Sequence, residues 1–163
     1  MNRPSRQAKR ISVLIPQIGK NLRIANIIDS VRRGLTLSQV TAMLLLKEAR
    51  DGTMPMGQIA HELGVSLPTA SGLVDRLHRD GLIDRVVSHR DRRVVLVRLT
   101  PEGRAVFQRM LRLLSDMVTR LLADLTEAEQ ESLAQAVERV FDLSLAIREE
   151  ERQLGEQMAD TAS

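Results

Sequence analysis

The chain contains no cysteine. That excludes disulfides, thiolate nucleophiles, cysteine-ligated zinc and thiol-based redox sensing. The lack of disulfides also fits a cytoplasmic setting. Tryptophan and tyrosine are absent too, and the aromatics are Phe107 and Phe141 alone. A core must therefore be aliphatic, drawn from the 43% of residues that are hydrophobic. Such a composition favours helix over sheet, because strands are enriched in aromatic and β-branched residues. Long apolar runs are missing as well. The longest, near Met43–Leu46, is far too short to span a bilayer. Arg3, Arg6, Lys9 and Arg10 make the first residues basic, but the apolar stretch after them is broken by Pro16 and Lys20. That is unlike a signal peptide. The expectation is a soluble, cytoplasmic protein with no membrane contact.

Catalytic signatures are equally scarce. There is no nucleophile–base pair, no glycine-rich phosphate loop and no metal-ligand cluster. His61, His78 and His89 fall on three separate elements. His61-Glu62 begins as a zinc-protease helix does, but the fourth position after His61 is Val65, so that motif fails. The chain is read as a non-enzyme without cofactor or metal.

What is present is arginine. Lysine is confined to Lys9, Lys20 and Lys47, and the net charge is +3. Arginine presents a planar donor fork suited to phosphates and base edges. Its placement is uneven: Arg85, Arg90, Arg92 and Arg93 crowd one stretch, whereas Glu149–Glu151 is acidic. The pattern implies a local basic surface.

The 163 residues suit one compact domain with appended helices. Residues 1–10 read as a solvated basic arm. Residues 11–34 carry apolar positions at helical spacing, with a disturbance expected at Pro16 and an end at Gly34. Thr36 and Gln39 form a capping box that opens a helix to about Arg50. Thr53–Met56 reads as a short edge strand, and Gly57–Leu63 as a helix closed by Gly64. Ser66 caps the next helix, with Pro68 in its first turn, and Gly81 ends it. Leu82–Val87 and Val94–Leu99 then switch to a strand pattern around a wholly polar tip, Ser88–Arg93. Thr100 and Pro101 open a helix whose stripe runs from Phe107 to Leu125. Thr126 and Glu129 cap a last helix carrying Leu133, Val137, Val140, Phe141 and Ile147. Residues 151–163 read as a polar, frayed, flexible tail.

The order helix, short strand, helix, turn, helix, strand, basic loop, strand is the plan of a winged helix-turn-helix. The fold class is thus mainly α with a small β-hairpin wing (α+β). The Ser66–Asp80 helix turns Ala70, Leu73, Val74 and Leu77 inward. Its other face presents Ser66, Pro68, Thr69, Ser71, Gly72, Asp75, Arg76 and Arg79. Small polar groups near its start let the backbone approach a major groove, and the arginines reach bases and phosphates. The wing tip, Arg90, Asp91, Arg92 and Arg93, suits a narrow minor groove, which attracts arginine. Asp91 can hold a neighbouring arginine through a bidentate pair.

Leu35-Thr36-x-x-Gln39, Ile59-Ala60-x-x-Leu63, Ser66-x-Pro68-Thr69 and Leu77-x-x-x-Gly81-Leu82-Ile83, together with Asp91-x-Arg93 six positions before Leu99-Thr100-Pro-Glu-Gly103, resemble the MarR family of bacterial regulators. The resemblance implies a homodimer held by its N- and C-terminal helices, and the leading reading is a repressor that binds a palindrome in double-stranded DNA. It implies that Arg93 enters the minor groove with Asp91 orienting it, and that Arg76 is a recognition-helix arginine. It also implies release by a small-molecule effector, for which Met43, Leu46, Phe107 and Met110 could line an aliphatic site. By this scheme residues 11–34 and 101–150 are dimerisation helices around a DNA-binding domain at 35–100. The alternative is a winged-helix protein-interaction module that never meets DNA.

Overall fold

The structure, a computed structural model, describes residues 4–87 and 94–161. The chain divides into two compact units, Met1–Asp116 and Met117–Ser163.

In the first unit, α1 (Arg6–Asn21) starts where the Ser5 side chain accepts the Ala8 N–H at 3.0 Å. Arg6, Lys9 and Arg10 are therefore helical and not part of a free arm. Pro16 does not interrupt α1; the chain breaks later, at Arg23, whose φ of 49° is left-handed. The reason is the direction each stripe must face. No residue of α1 is buried, whereas α2 (Ile24–Val31) sends Ile28 and Val31 into the core. A continuous helix could not serve both, and the exposed turn at Pro16 tolerates a missing N–H better than a packed one would.

The capping box at the start of α3 (Leu37–Glu48) forms as its sequence requires. Thr36 N–H donates to Gln39 Oε1 at 2.9 Å, and Gln39 N–H to Thr36 Oγ1 at 3.4 Å. β1 (Thr53–Pro55), α4 (Met56–Glu62), α5 (Leu67–Arg79), β2 (Ile83–Val87) and β3 (Val95–Leu99) follow. The sheet order is β1-β3-β2, antiparallel throughout. Pro55 lies on an edge strand, where its missing donor costs no ladder bond. Met54, Val97, Leu99 and Ile83 turn inward onto α3 and α5 residues Ala42, Met43, Leu46, Val74 and Leu77.

Next, α6 (Pro101–Leu122) opens against this core through Val106, Phe107 and Met110. Gly103 has a specific task there. A Cβ at this position would lie 1.9 Å from the Leu82 carbonyl oxygen. That oxygen accepts the Thr100 N–H at 3.0 Å, so the helix start and strand end meet backbone to backbone.

In the second unit, α6 ends and α7 (Glu127–Thr161) begins. Thr126 N–H and Oγ1 both donate to Glu129 Oε2 at 2.8 Å. Gln130 Nε2 donates to the Leu122 and Leu125 carbonyls at 3.0 Å, satisfying acceptors that a helix end leaves open. Helix α7 continues to Thr161, so residues 151–161 are not the irregular tail their polarity suggested. The run Glu149-Glu-Glu-Arg-Gln153 consists of good helix formers. Gln153 also donates to Glu149 Oε1 one turn back, at 2.9 Å.

Candidate nucleic-acid interface

Two glycines shape the helix-turn-helix. At the end of α4, Gly64 (φ 64°) allows Val65 N–H to reach Ala60 O at 3.1 Å and its own N–H to reach His61 O at 3.0 Å. At the end of α5, Gly81 (φ 70°) repeats the arrangement: Leu82 N–H to Leu77 O and Gly81 N–H to His78 O, both at 2.9 Å. Both are Schellman closures, which need a left-handed residue just past the helix. The first redirects the chain into Ser66, which caps α5 by accepting the Thr69 N–H. The second delivers Leu82, fully buried, into the sheet.

Helix α5 is thereby fixed from both ends. Ala70, Val74 and Leu77 are buried. Ser66, Pro68, Thr69, Gly72, Asp75, Arg76 and Arg79 are exposed, and Ser71 is half-buried. This is the face expected from sequence. Further bonds hold the C-terminal end: Arg32 Nη2 donates to Asp80 O at 2.7 Å, and Thr100 Oγ1 donates to Gly81 O at 2.7 Å.

Among the described residues, two ion pairs involve the hairpin strands. Arg85 Nη2 meets Asp75 Oδ1 at 2.6 Å, joining β2 to α5. Arg98 and Asp84, direct cross-strand partners, lie 3.6 Å apart. The expected wing-tip residues Arg90, Asp91, Arg92 and Arg93 lie outside the described residues. Sequence reasoning noticed Arg85 only as part of a basic stretch. Its ten-residue separation from Asp75 gives no local signal, because the pairing needs the helix-to-strand turn at Gly81.

Met43, Leu46, Phe107 and Met110, the residues considered for an effector, are each at most 3% exposed and belong to the main core cluster. Lys47 Nζ sits 5.9 Å from the Phe107 ring centroid. His61 and His78 are exposed, and His78 Nδ1 is 3.0 Å from Ile83 O. No helix among the described residues is long and apolar enough to cross a membrane.

Residues 35–95 match the MarR family model. The chain is 30% identical over 122 residues to the HTH-type transcriptional repressor MdtR of Bacillus subtilis, covering 75% of this chain and 76% of that protein. The chain belongs to the MarR family. Another Bacillus subtilis relative, the uncharacterised HTH-type transcriptional regulator YfiV, is 29% identical over 104 residues. That match spans 64% of each protein, so just under two thirds of this relative's length is represented. The structure of a MarR family protein from Bacillus stearothermophilus superposes with a TM-score of 0.71 over 87% of this chain and 96% of that one, at 24% identity. The fold is that of MarR winged-helix proteins. The Leu99-Thr100-x-x-Gly103 element of the MarR resemblance now has a physical basis in the Gly103–Leu82 contact.

Proposed function

We propose that this MarR-family chain is a cytoplasmic, homodimeric repressor that binds a palindromic operator in double-stranded DNA. The observation that carries this is α5. One face is locked into the core, and the other, small, polar and basic, is exposed at Ser66, Pro68, Thr69, Gly72, Asp75, Arg76 and Arg79. Helix α5 enters the major groove, with Ser66, Pro68, Thr69, Ser71 and Gly72 nearest the bases and Arg76 and Arg79 nearest the backbone. Arg90, Arg92 and Arg93 of the wing reach the minor groove, with Asp91 holding Arg93. The dimer is supported by apolar stripes left uncovered. Ile11, Leu14, Ile15 and Ile18 on α1 are each about half exposed, as are Val137, Val140 and Phe141 on α7. Stripes of this extent mark association. Any effector acting at Met43, Leu46, Phe107 and Met110 must first open the packed core.

Selection of bound duplexes from a random pool, followed by salt-dependent affinity measurement, tests the proposal. The expected product is a palindrome with half-sites about one helical turn apart, roughly 34–36 Å. Arg93→Ala should lower affinity and flatten the salt slope. Failure to recover any duplex would leave a protein-interaction module as the function.

A further inference from the structure

Three successive backbone carbonyls lead out of α5, those of Asp80, Gly81 and Leu82, and each accepts from a donor outside the helix. Arg32 Nη2 donates to Asp80 O at 2.7 Å, Thr100 Oγ1 to Gly81 O at 2.7 Å, and Thr100 N–H to Leu82 O at 3.0 Å. Thr100 directly follows β3, so its two bonds close the winged domain on itself. Arg32 comes from elsewhere. It stands 48 residues from Asp80, at the end of α2. The turn that carries it is tied down: Gly34 N–H donates to Asp29 Oδ1 at 2.8 Å, Leu35 N–H donates to Arg32 O at 3.1 Å, and Val31 and Leu35 are buried. A planar guanidinium reaching from such a base loses little freedom in making its bond. Its target is backbone. The Asp80 carboxylate forms no ion pair among the described residues. A cation on this carbonyl also meets the negative end of the α5 dipole. The bond therefore fixes where α5 ends, whatever side chain stands at position 80.

We infer that Arg32 is a positioning residue for operator recognition: it locks the reading helix to the N-terminal helices, and so sets the separation and angle at which two copies of α5 meet DNA. This rests on the palindrome-binding dimer proposed above. Helix α2 follows α1 through Arg23, and α1 carries the uncovered stripe of Ile11, Leu14, Ile15 and Ile18. Arg32 thus ties the proposed reading face to the helices that bear a proposed dimer surface. Adding one base pair between half-sites moves them by about 3.4 Å and turns them by about a tenth of a helical turn. A dimer with rigidly held reading helices rejects that change, whereas one whose α5 tilts more freely tolerates it. Arg32 acts through α5, so it governs tolerance of half-site spacing and not the sequence read within a half-site.

Three full-length variants test this. Arg32→Met keeps the packing of the side-chain stem and removes the donor and the charge. Arg32→Lys keeps a charged donor, and Asp80→Asn changes the side chain but leaves the accepting carbonyl. The probes are a duplex selected by the wild-type protein, the same duplex with one base pair added or removed between half-sites, and a single half-site. Arg32→Met should bind the selected duplex on the order of tenfold more weakly, and its preference over the shifted duplexes should shrink by a similar factor. Its affinity for a single half-site and its salt slope should match the wild type, because no phosphate contact is lost. Arg32→Lys should restore much of the spacing preference, and Asp80→Asn should keep all of it. Melting temperatures should stay within a few degrees of wild type. If Arg32→Met keeps the wild-type preference, or if the wild-type protein binds every spacing alike, the positioning inference is wrong and the DNA-binding proposal stands. It is equally overturned if Arg32→Met loses affinity in the same proportion on every duplex with a lower salt slope, since Arg32 then contacts phosphate directly. If the wild-type protein selects no duplex, both proposals fall.

Discussion

Arg85 on β2 donates to Asp75 on α5 at 2.6 Å, so the wing and the reading helix share an ion pair at the proposed DNA face. Both side chains are partly exposed, at 32% and 47%, so the pair should add at most about 1 kcal/mol to stability. Its weight should appear on DNA instead. Arg85→Ala leaves Asp75 as an uncompensated negative charge facing phosphates, and should weaken binding by roughly tenfold. Asp75→Asn/Arg85→Ala should recover part of that loss. Strictly additive effects in the double-mutant cycle would show that the pair has no part in binding.

Gly103 and Gly72 should respond in opposite directions to the same substitution. At Gly103 an added methyl meets the Leu82 carbonyl oxygen at 1.9 Å, and backbone must move. Gly103→Ala should therefore cost about 3 kcal/mol or more, with loss of the Thr100–Leu82 hydrogen bond. Nothing lies within 4 Å of a Cβ at Gly72. Gly72→Ala should raise stability by up to about 1 kcal/mol, since alanine is the better helix former. It should at the same time reduce duplex affinity, because the methyl projects from the face proposed to approach DNA. Denaturant melts and affinity titrations on both variants check the contrast.

How much of this was legible in the sequence follows from how local each cause is. Thr36 with Gln39, Ser66 with Thr69, and Thr126 with Glu129 act over three residues, and their caps form where the spelling places them. Gly64 and Gly81 were readable as helix ends for the same reason. The break at Arg23 was not, because it depends on α2 burying its stripe while α1 buries none. The extension of α7 to Thr161 was missed because polarity was taken for irregularity. Polarity reports exposure, whereas helix formation here follows intrinsic propensity and one-turn pairs. At the candidate site, the exposed face of α5 was readable from periodicity. The Asp75–Arg85 pair was not, since it needs a helix and a strand brought together by the fold.

Acid should loosen the α6–α7 turn through Glu129. Its carboxylate accepts first from the Thr126 backbone N–H and also from the Thr126 hydroxyl, which holds its pKa below the ordinary value of 4.5. A carboxylate depressed in the folded state contributes stability that is present above its unfolded pKa and is lost as pH falls through the folded value. The cap should thus be intact at neutral pH and weaken only below about pH 4.5. Glu129→Gln should abolish this component of the acid response while keeping a capping-box side chain. Amide exchange at residues 126–130 across pH 3 to 6, about the carboxylate range, measures it directly. An identical pH response in the two proteins would show that Glu129 does not set it.

The exposed stripes make the strongest demand on assembly. Val140 and Phe141 are 65% and 60% exposed on α7, and Ile15 is 62% exposed on α1. Covering an aliphatic side chain fully is worth about 1.5–3 kcal/mol, and in a twofold dimer each position counts twice. Val140→Asp should therefore cost about 3 kcal/mol or more per dimer, raising the dissociation constant by more than a hundredfold. Ile15→Asp should act in the same direction through α1. The fold of the Met1–Asp116 unit should be unaffected by Val140→Asp, since the core cluster contains no residue of α7. Sedimentation equilibrium should show dimeric wild-type protein and monomeric variants at micromolar concentration. If, as proposed, two reading helices engage one palindrome together, the same variants should lose operator affinity far more steeply than affinity for a single half-site. A wild-type chain that sediments as a monomer, or variants that remain dimeric, would place the covering surface elsewhere.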